Sequence, residues 1–95
     1  MISLDTISRS EFEARLHEIF SLVLHDGTFP LTLAQVRGAG TGMPEAKREP
    51  FALTFKAEKP IRLPQGIYRL QNETLGTLDL FLVQTSPTEA EAVFN

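Results

Sequence analysis

The sequence predicts an α+β domain, in which an N-terminal helix precedes an antiparallel β-meander that curls into a small barrel or sandwich. Three observations predict it. An apolar stripe of helical spacing lies near the start, short apolar runs separated by turn residues fill the rest, and 95 residues suit a single domain spanning 1–95. A chain of this size has room for one core, so we expect functional surfaces at grooves, edges or contacts between chains.

The helix is predicted over about residues 8–18. Four apolar side chains recur at i, i+4, i+7 and i+8: Phe12, Leu16, Ile19 and Phe20. This spacing places them on one face of a helix. Ser8 and Ser10 are both candidate N-caps, and the run from Ser10 to Glu13 fits a capping box.

Seven short apolar runs bounded by turn residues are predicted as strands: 20–24, 29–36, 51–57, 61–63, 67–71, 77–84 and 90–94. Asp26-Gly27 predicts a tight hairpin between the first two, because glycine accepts a positive φ without a steric clash. The run 77–84 is apolar on both faces, so we expect it at the centre of the sheet. The strands at the sheet edges are expected to be open to pairing with a partner.

Residues 37–50 are predicted to form a mobile loop, since glycines, prolines and charges interrupt the apolar pattern. Loops of this length in compact domains are often functional. The G-x-G-x-G run at 38–42 lacks the following helix and Lys-Ser/Thr pair of a phosphate-binding loop. The residues expected to contact a partner are Arg37, Met43, Lys47 and Arg48.

Catalytic and metal-binding patterns do not emerge from the sequence. His17 and His25 have no spacing that forces them together with a carboxylate, as a metal site requires. The serines lack a nucleophile-elbow pattern. Asp79 interrupts an apolar run, and we expect Arg62 or Arg69 to pair with it across strands. We therefore predict a protein that is not an enzyme and binds no cofactor or metal.

Charge and composition restrict the classes of partner and the cellular location that we expect. The formal net charge is −3 with no basic stripe, which argues against nucleic-acid binding. The apolar runs are too short to span a membrane and the N-terminus does not resemble a signal peptide, so no membrane association is expected. The chain has no cysteine, which favours the cytoplasm.

Four segments carry a resemblance to a family: Glu49–Phe55, Leu63–Tyr68, Leu75–Val83 and Glu91–Asn95. They are similar to an uncharacterised family of small bacterial proteins of about this length, whose genes often lie near phage-tail genes. The resemblance implies a shared fold and a phage-tail context. It implies no catalytic residue.

These observations predict a non-enzymatic protein-interaction module of a phage-tail structural or assembly type, with a protein partner or further copies of the chain. One alternative is a small-ligand-binding β-barrel whose cleft is lined by Phe51, Phe55, Tyr68 and Phe81. A second alternative is an inhibitor or immunity-type protein, whose acidic balance would suit a basic enzyme surface.

Overall fold

The computed structural model describes residues 7–38 and 50–94, which form one short helix and six β-strands. The helix is α1 (Arg9–Glu13), and the strands are β1 (Ile19–Leu24), β2 (Gly27–Gly38), β3 (Phe51–Lys56), β4 (Gly66–Asn72), β5 (Gly76–Ser86) and β6 (Glu89–Phe94). Neighbouring strands are antiparallel, and they close into a barrel in the order β1-β2-β3-β6-β5-β4.

Two three-stranded meanders make up the barrel. The first is β1–β3 and the second is β4–β6, and the segment 57–65 joins them at one end of the barrel. Because β4 pairs with β1 and β6 pairs with β3, each meander closes the other. In this order β2 and β5 lie on opposite sides of the barrel.

The barrel interior is filled by side chains from alternate positions of the strands. Those exposed by no more than 2% are Phe20, Leu22, Leu31, Leu33, Phe51, Leu53, Phe55, Leu70, Leu78, Leu80, Leu82 and Ala92. The predicted alternation within β3 is confirmed, since Phe51, Leu53 and Phe55 point inward. A barrel of few strands encloses only enough space for its own side chains.

Helix α1 closes one end of the barrel with an aromatic side chain. Phe12 is fully buried, and its ring centroid lies 5.3 Å from that of Phe94 and 5.8 Å from that of Phe51. The rings of Phe51 and Phe94 stack at 4.7 Å, and Phe20 lies 6.4 Å from Phe12. We call Phe12, Phe20, Phe51 and Phe94 the aromatic cluster.

The segment 57–65 closes the opposite end through one amide side chain. The Gln84 Nε2 group donates to the carbonyls of Ile61 and Ser86, and its Oε1 accepts from the Leu63 N–H at 2.8 Å. The Tyr68 hydroxyl donates to the Pro64 carbonyl. These bonds hold Leu63 in the core, where it is 5% exposed.

The α+β class is wrong, because the described chain is nearly all β and its helix has five residues. The predicted helix over 8–18 ends at Glu13, and the N–H groups of Arg15 and Leu16 bond three residues back instead of four. His17, with φ 73°, then turns the chain out of the helical region. The His17 N–H donates to the Leu33 carbonyl at 2.7 Å, and the Leu33 N–H donates to the Glu18 carbonyl at 3.1 Å. Pairing with β2 therefore overrides the helical spacing, and Leu16 and Ile19 stay partly exposed.

The helix start also differs from the capping box expected at Ser10. Ser8 is the N-cap, and its N–H donates to the Glu11 carboxylate at 2.8 Å. This is the reciprocal bond of a capping box placed two residues earlier.

The observed strand bounds differ most from the predicted ones where hydrogen bonds between distant parts of the chain fix the backbone. The extended piece expected at 61–63 forms no strand, because its backbone groups bond to Gln84 and to the Pro87 carbonyl. Strand β2 is longer than 29–36 and carries a register shift between Leu33 and Gln35. The hairpin is confirmed: Leu24 pairs with Gly27, whose φ is 149°.

Candidate protein-interaction surface

The outer face of the second meander carries a group of exposed apolar side chains. They are Ile67 (74% exposed), Phe81 (53%), Val83 (40%) and Val93 (53%), and we call them the outer apolar patch. Single exposed apolar residues are common on protein surfaces, whereas a contiguous group often marks an interaction site.

Strand register brings the members of the outer apolar patch side by side. Ile67 on β4 lies directly opposite Phe81 on β5. Val83 on β5 lies opposite Glu91 on β6, and Val93 is two residues further along β6, on the same face as Glu91. The four apolar side chains therefore occupy adjoining positions on three neighbouring strands, with Phe81 and Val83 on the central one.

An arginine from the first meander borders the outer apolar patch on the β6 side. Val93 lies opposite Ala52 on β3, and Ala52 lies opposite Arg37 on β2. The Arg37 guanidinium bonds the Glu91 carboxylate on β6, so its side chain crosses β3. This explains why Ala52 is only 1% exposed on the outer face.

A second ion pair borders the outer apolar patch along β4 and β5. Arg69 and Asp79 lie opposite each other, and the guanidinium donates from Nε to Oδ1 at 3.0 Å and from Nη2 to Oδ2 at 3.3 Å. The predicted partner of Asp79 is thereby confirmed as Arg69. The hydrogen bond from Arg69 lowers the pKa of Asp79, and the bond to Asp79 raises the pKa of Arg69.

Of the four residues at 37–50 that were expected to contact a partner, the structure describes one. Arg37 belongs to β2, where it is exposed and bonded to Glu91. Met43, Lys47 and Arg48 lie outside the described residues. Arg37 therefore reaches the surface described above through a strand rather than through a loop.

The four residues expected to line one cleft are not brought together. Phe51 and Phe55 are fully buried inside the barrel. Tyr68 is half-buried and bonds the Pro64 carbonyl, and Phe81 points outward from β5. The expectation of open sheet edges is wrong, since each of the six described strands has two neighbours in the closed barrel.

A second surface feature surrounds His17. This exposed histidine borders two open clefts of about 460 and 280 Å³, and the larger one is also lined by Glu18 and Glu73. Glu18 is already engaged, because its Oε1 accepts from the Asn72 amide at 3.2 Å and its Oε2 lies 3.6 Å from the Arg15 guanidinium. Within 7–38 and 50–94 no three metal-ligating side chains group together.

Asn72 and Gln84 make hydrogen bonds that hold the fold together and that were not expected from the sequence. Asn72 is 5% exposed; its Nδ2 donates to Glu18 and to the Ile19 carbonyl, and its Oδ1 accepts from the N–H groups of Thr74 and Leu75. An Asn just before a turn was the available signal for this residue.

Ile67, Val83 and Val93 were missed as surface residues. Ile67 shares its strand face with Arg69, and Val93 shares its face with Glu91, which was the available signal that these faces point outward. For Val83 the signal was weaker, because its face of β5 carries Phe81 as well as Asp79.

The fold and its surface define a class: a small closed antiparallel β-barrel with a side-chain-filled interior and an apolar outer face. The family model for the domain of unknown function DUF6916 matches residues 7–94, so the chain belongs to that family. No curated protein and no solved structure matches the chain. None of the helical residues that the structure describes lies in a helix long and apolar enough to cross a membrane.

Proposed function

We propose that this protein is a non-enzymatic interaction module that binds a protein partner through the outer apolar patch. The observation that carries the proposal is the pairing of Ile67 with Phe81, with Val83 and Val93 on adjoining positions, which leaves a large aromatic ring half exposed among aliphatic side chains. Aromatic anchors of this kind dominate the energetics of protein interfaces.

The size of the patch supports this reading. Its four side chains expose apolar area on the order of 400 Å², within the range of the largest patches on soluble monomers, which are often functional. A polar border surrounds it, formed by the pairs Arg69–Asp79 and Arg37–Glu91. An apolar centre with a polar rim is the usual anatomy of a protein–protein interface.

The alternatives receive less support from the same features. A ligand-binding barrel needs a lined cavity, yet Phe51, Phe55 and their neighbours fill the interior. An inhibitor of a basic enzyme needs an acidic contact surface, yet each carboxylate bordering the patch is paired with an arginine. The phage-tail assembly setting and the cytoplasmic location remain parts of the proposal that rest on sequence alone.

The test compares three tagged baits in lysate of the native host. They are the unchanged chain, Phe81→Asp and Gln35→Asp. Gln35 is exposed on β2, on the opposite side of the barrel, so both variants carry the same net charge. We expect a stoichiometric protein, identified by mass spectrometry, to bind the unchanged chain and Gln35→Asp and to be lost from Phe81→Asp. Identical captures on all three baits would refute the proposal.

A further inference from the structure

We propose that the outer apolar patch binds a second copy of this chain, so that the protein forms a two-fold symmetric dimer through β4–β6. This inference rests on the proposed function and names the partner of the same surface. Three features carry it: the balance of charge around the patch, the area available, and the position of its aromatic ring.

Charge at the border favours a second copy over a charged partner. The chain has a formal net charge of −3, so two copies repel each other on average. At the patch, however, Arg69 is paired with Asp79 and Arg37 is paired with Glu91. The next carboxylate along β6, Glu89, lies opposite Lys56 on β3, so the charges around the patch balance. A second copy can therefore approach this face without bringing unpaired like charges together, and a strongly basic or acidic partner gains nothing from it.

The ion pairs also suit two-fold symmetry. In a symmetric dimer the same patch lies on both sides of the interface, and a residue that contacts a second residue is contacted in return by its counterpart. An Arg–Asp pair that meets its own two-fold copy can place each guanidinium near the carboxylate of the other chain. The pair Arg69–Asp79 adjoins Ile67 and Phe81 along β4 and β5, where such an exchange is within reach.

The area fits a small dimer. A specific interface of standard size covers roughly 800 Å² on each partner, with somewhat more than half of it apolar. The patch supplies on the order of 400 Å² of apolar surface at the centre of β4–β6, and its polar border supplies the remainder. Phe81 lies on β5, the central strand of the three, where burial against its symmetry mate removes the most apolar surface from water.

The first experiment measures the mass of the untagged chain by sedimentation velocity and light scattering over a wide concentration range. We expect a reversible dimer whose dissociation constant rises at least about 30-fold in Phe81→Asp, the effect of losing one hot-spot residue. Phe81→Ser, which adds no charge, should weaken the dimer in the same direction. Gln35→Asp should dimerise like the unchanged chain.

Cross-linking then locates the contact. The chain contains no cysteine, so a single introduced thiol reports one position. Under mild oxidation a mixture of Ile67→Cys and Val93→Cys chains should form mixed disulfide-linked dimers, because a two-fold axis that runs along β5 near Phe81 brings β4 of one copy against β6 of the other. A mixture of Gln35→Cys and Val93→Cys chains should cross-link more slowly, since Gln35 is exposed on the opposite side of the barrel, and equal rates for the two mixtures would place the contact elsewhere.

Two results would overturn the inference. One is a monomer at every concentration, and the other is a dimer that Phe81→Asp leaves intact. The lysate experiment then separates the two proposals. If the chain is a monomer and captures a different protein in a Phe81-dependent way, the dimer is refuted and the interaction module stands. If the monomer shows no Phe81-dependent capture, both proposals are refuted.

Discussion

The aromatic cluster and the outer apolar patch use the same kind of side chain for opposite purposes. Phe12 is fully buried against Phe20, Phe51 and Phe94, whereas Phe81 is 53% exposed on a strand whose neighbouring residues are core leucines. The first set stabilises the barrel by removing aromatic area from water in the folded chain. The outer apolar patch leaves the Phe81 ring in water, so burial of that ring can stabilise only a complex with a partner.

The contrast between these two regions predicts that substitution of Phe12 lowers the stability of the fold most. Truncation by Phe12→Ala removes the ring that closes one end of the barrel and should lower the free energy of unfolding by about 3–5 kcal/mol. Urea denaturation followed by circular dichroism measures it. The matched variant Phe81→Ala, measured at a concentration where the chain is monomeric, should stay within about 1 kcal/mol of the unchanged chain.

Equal losses in the two variants would contradict the distinction between the two regions. If Phe12→Ala does not fold, Phe12→Leu provides the same test with a smaller change. It keeps an apolar side chain at the site and should still be less stable than Phe81→Leu.

A smaller effect is expected at Asn72, the buried polar residue that ties the Glu18–Ile19 segment to the β4–β5 turn. Asn72→Ala leaves the N–H groups of Thr74 and Leu75 without their acceptor. The expected loss is about 1–3 kcal/mol in the free energy of unfolding, the cost of leaving part-buried hydrogen-bonding groups unsatisfied. The control is Gln71→Ala, at the exposed neighbouring position, which thermal melts should show to be close to the unchanged chain.

The smallest effect is expected at Asp79, on the border of the outer apolar patch. Its pKa is lowered from the ordinary value of 3.8 by the hydrogen bond from Arg69. A carboxylate with a lowered folded-state pKa stabilises the fold above its ordinary pKa and loses that contribution as the pH falls through the lowered value. The pair is exposed to solvent, so the contribution is small and weakens with salt.

Thermal melts of the unchanged chain and Asp79→Asn across the acidic range check this prediction. The unchanged chain should be slightly more stable near neutral pH, and the difference should shrink as the pH falls below the ordinary value of 3.8 and disappear below the lowered pKa, where Asp79 is protonated in the folded chain as well. A difference that grows as the pH falls would have the wrong sign for this ion pair.

Much of the β-structure was predictable because it depends on local patterns. Strict alternation in 51–56 indicated which side chains face the core, and Asp26-Gly27 indicated a hairpin. Asp79 was expected to pair with Arg62 or Arg69, and cross-strand register selects Arg69. The helix was predicted too long because the apolar spacing of Phe12, Leu16, Ile19 and Phe20 fits a helix.

The candidate site was harder to predict, since it depends on which face of a strand points to solvent. Phe81 was assigned to a cleft with Phe51 and Phe55, and all three lie in apolar strands. The sequence shows that Phe81 and Leu82 point to opposite faces, and Thr77 and Asp79 on the Phe81 face indicate the outer one. That signal is weak because Phe81 and Val83 make most of the same face apolar. In an open sheet covered on both sides, both would be buried.

By itself the sequence indicated six of the seven predicted strands, the hairpin and the side chains that share a face, because a residue's alternation and turn preferences are local. Only the tertiary structure decided the rest. Pairing of β4 with β1 and of β6 with β3 closes the sheet, which removes its edges and gives it one interior and one exterior. Closure assigns Phe55 to the core and Phe81 to the surface, since a barrel this small has no second layer to cover its outer face.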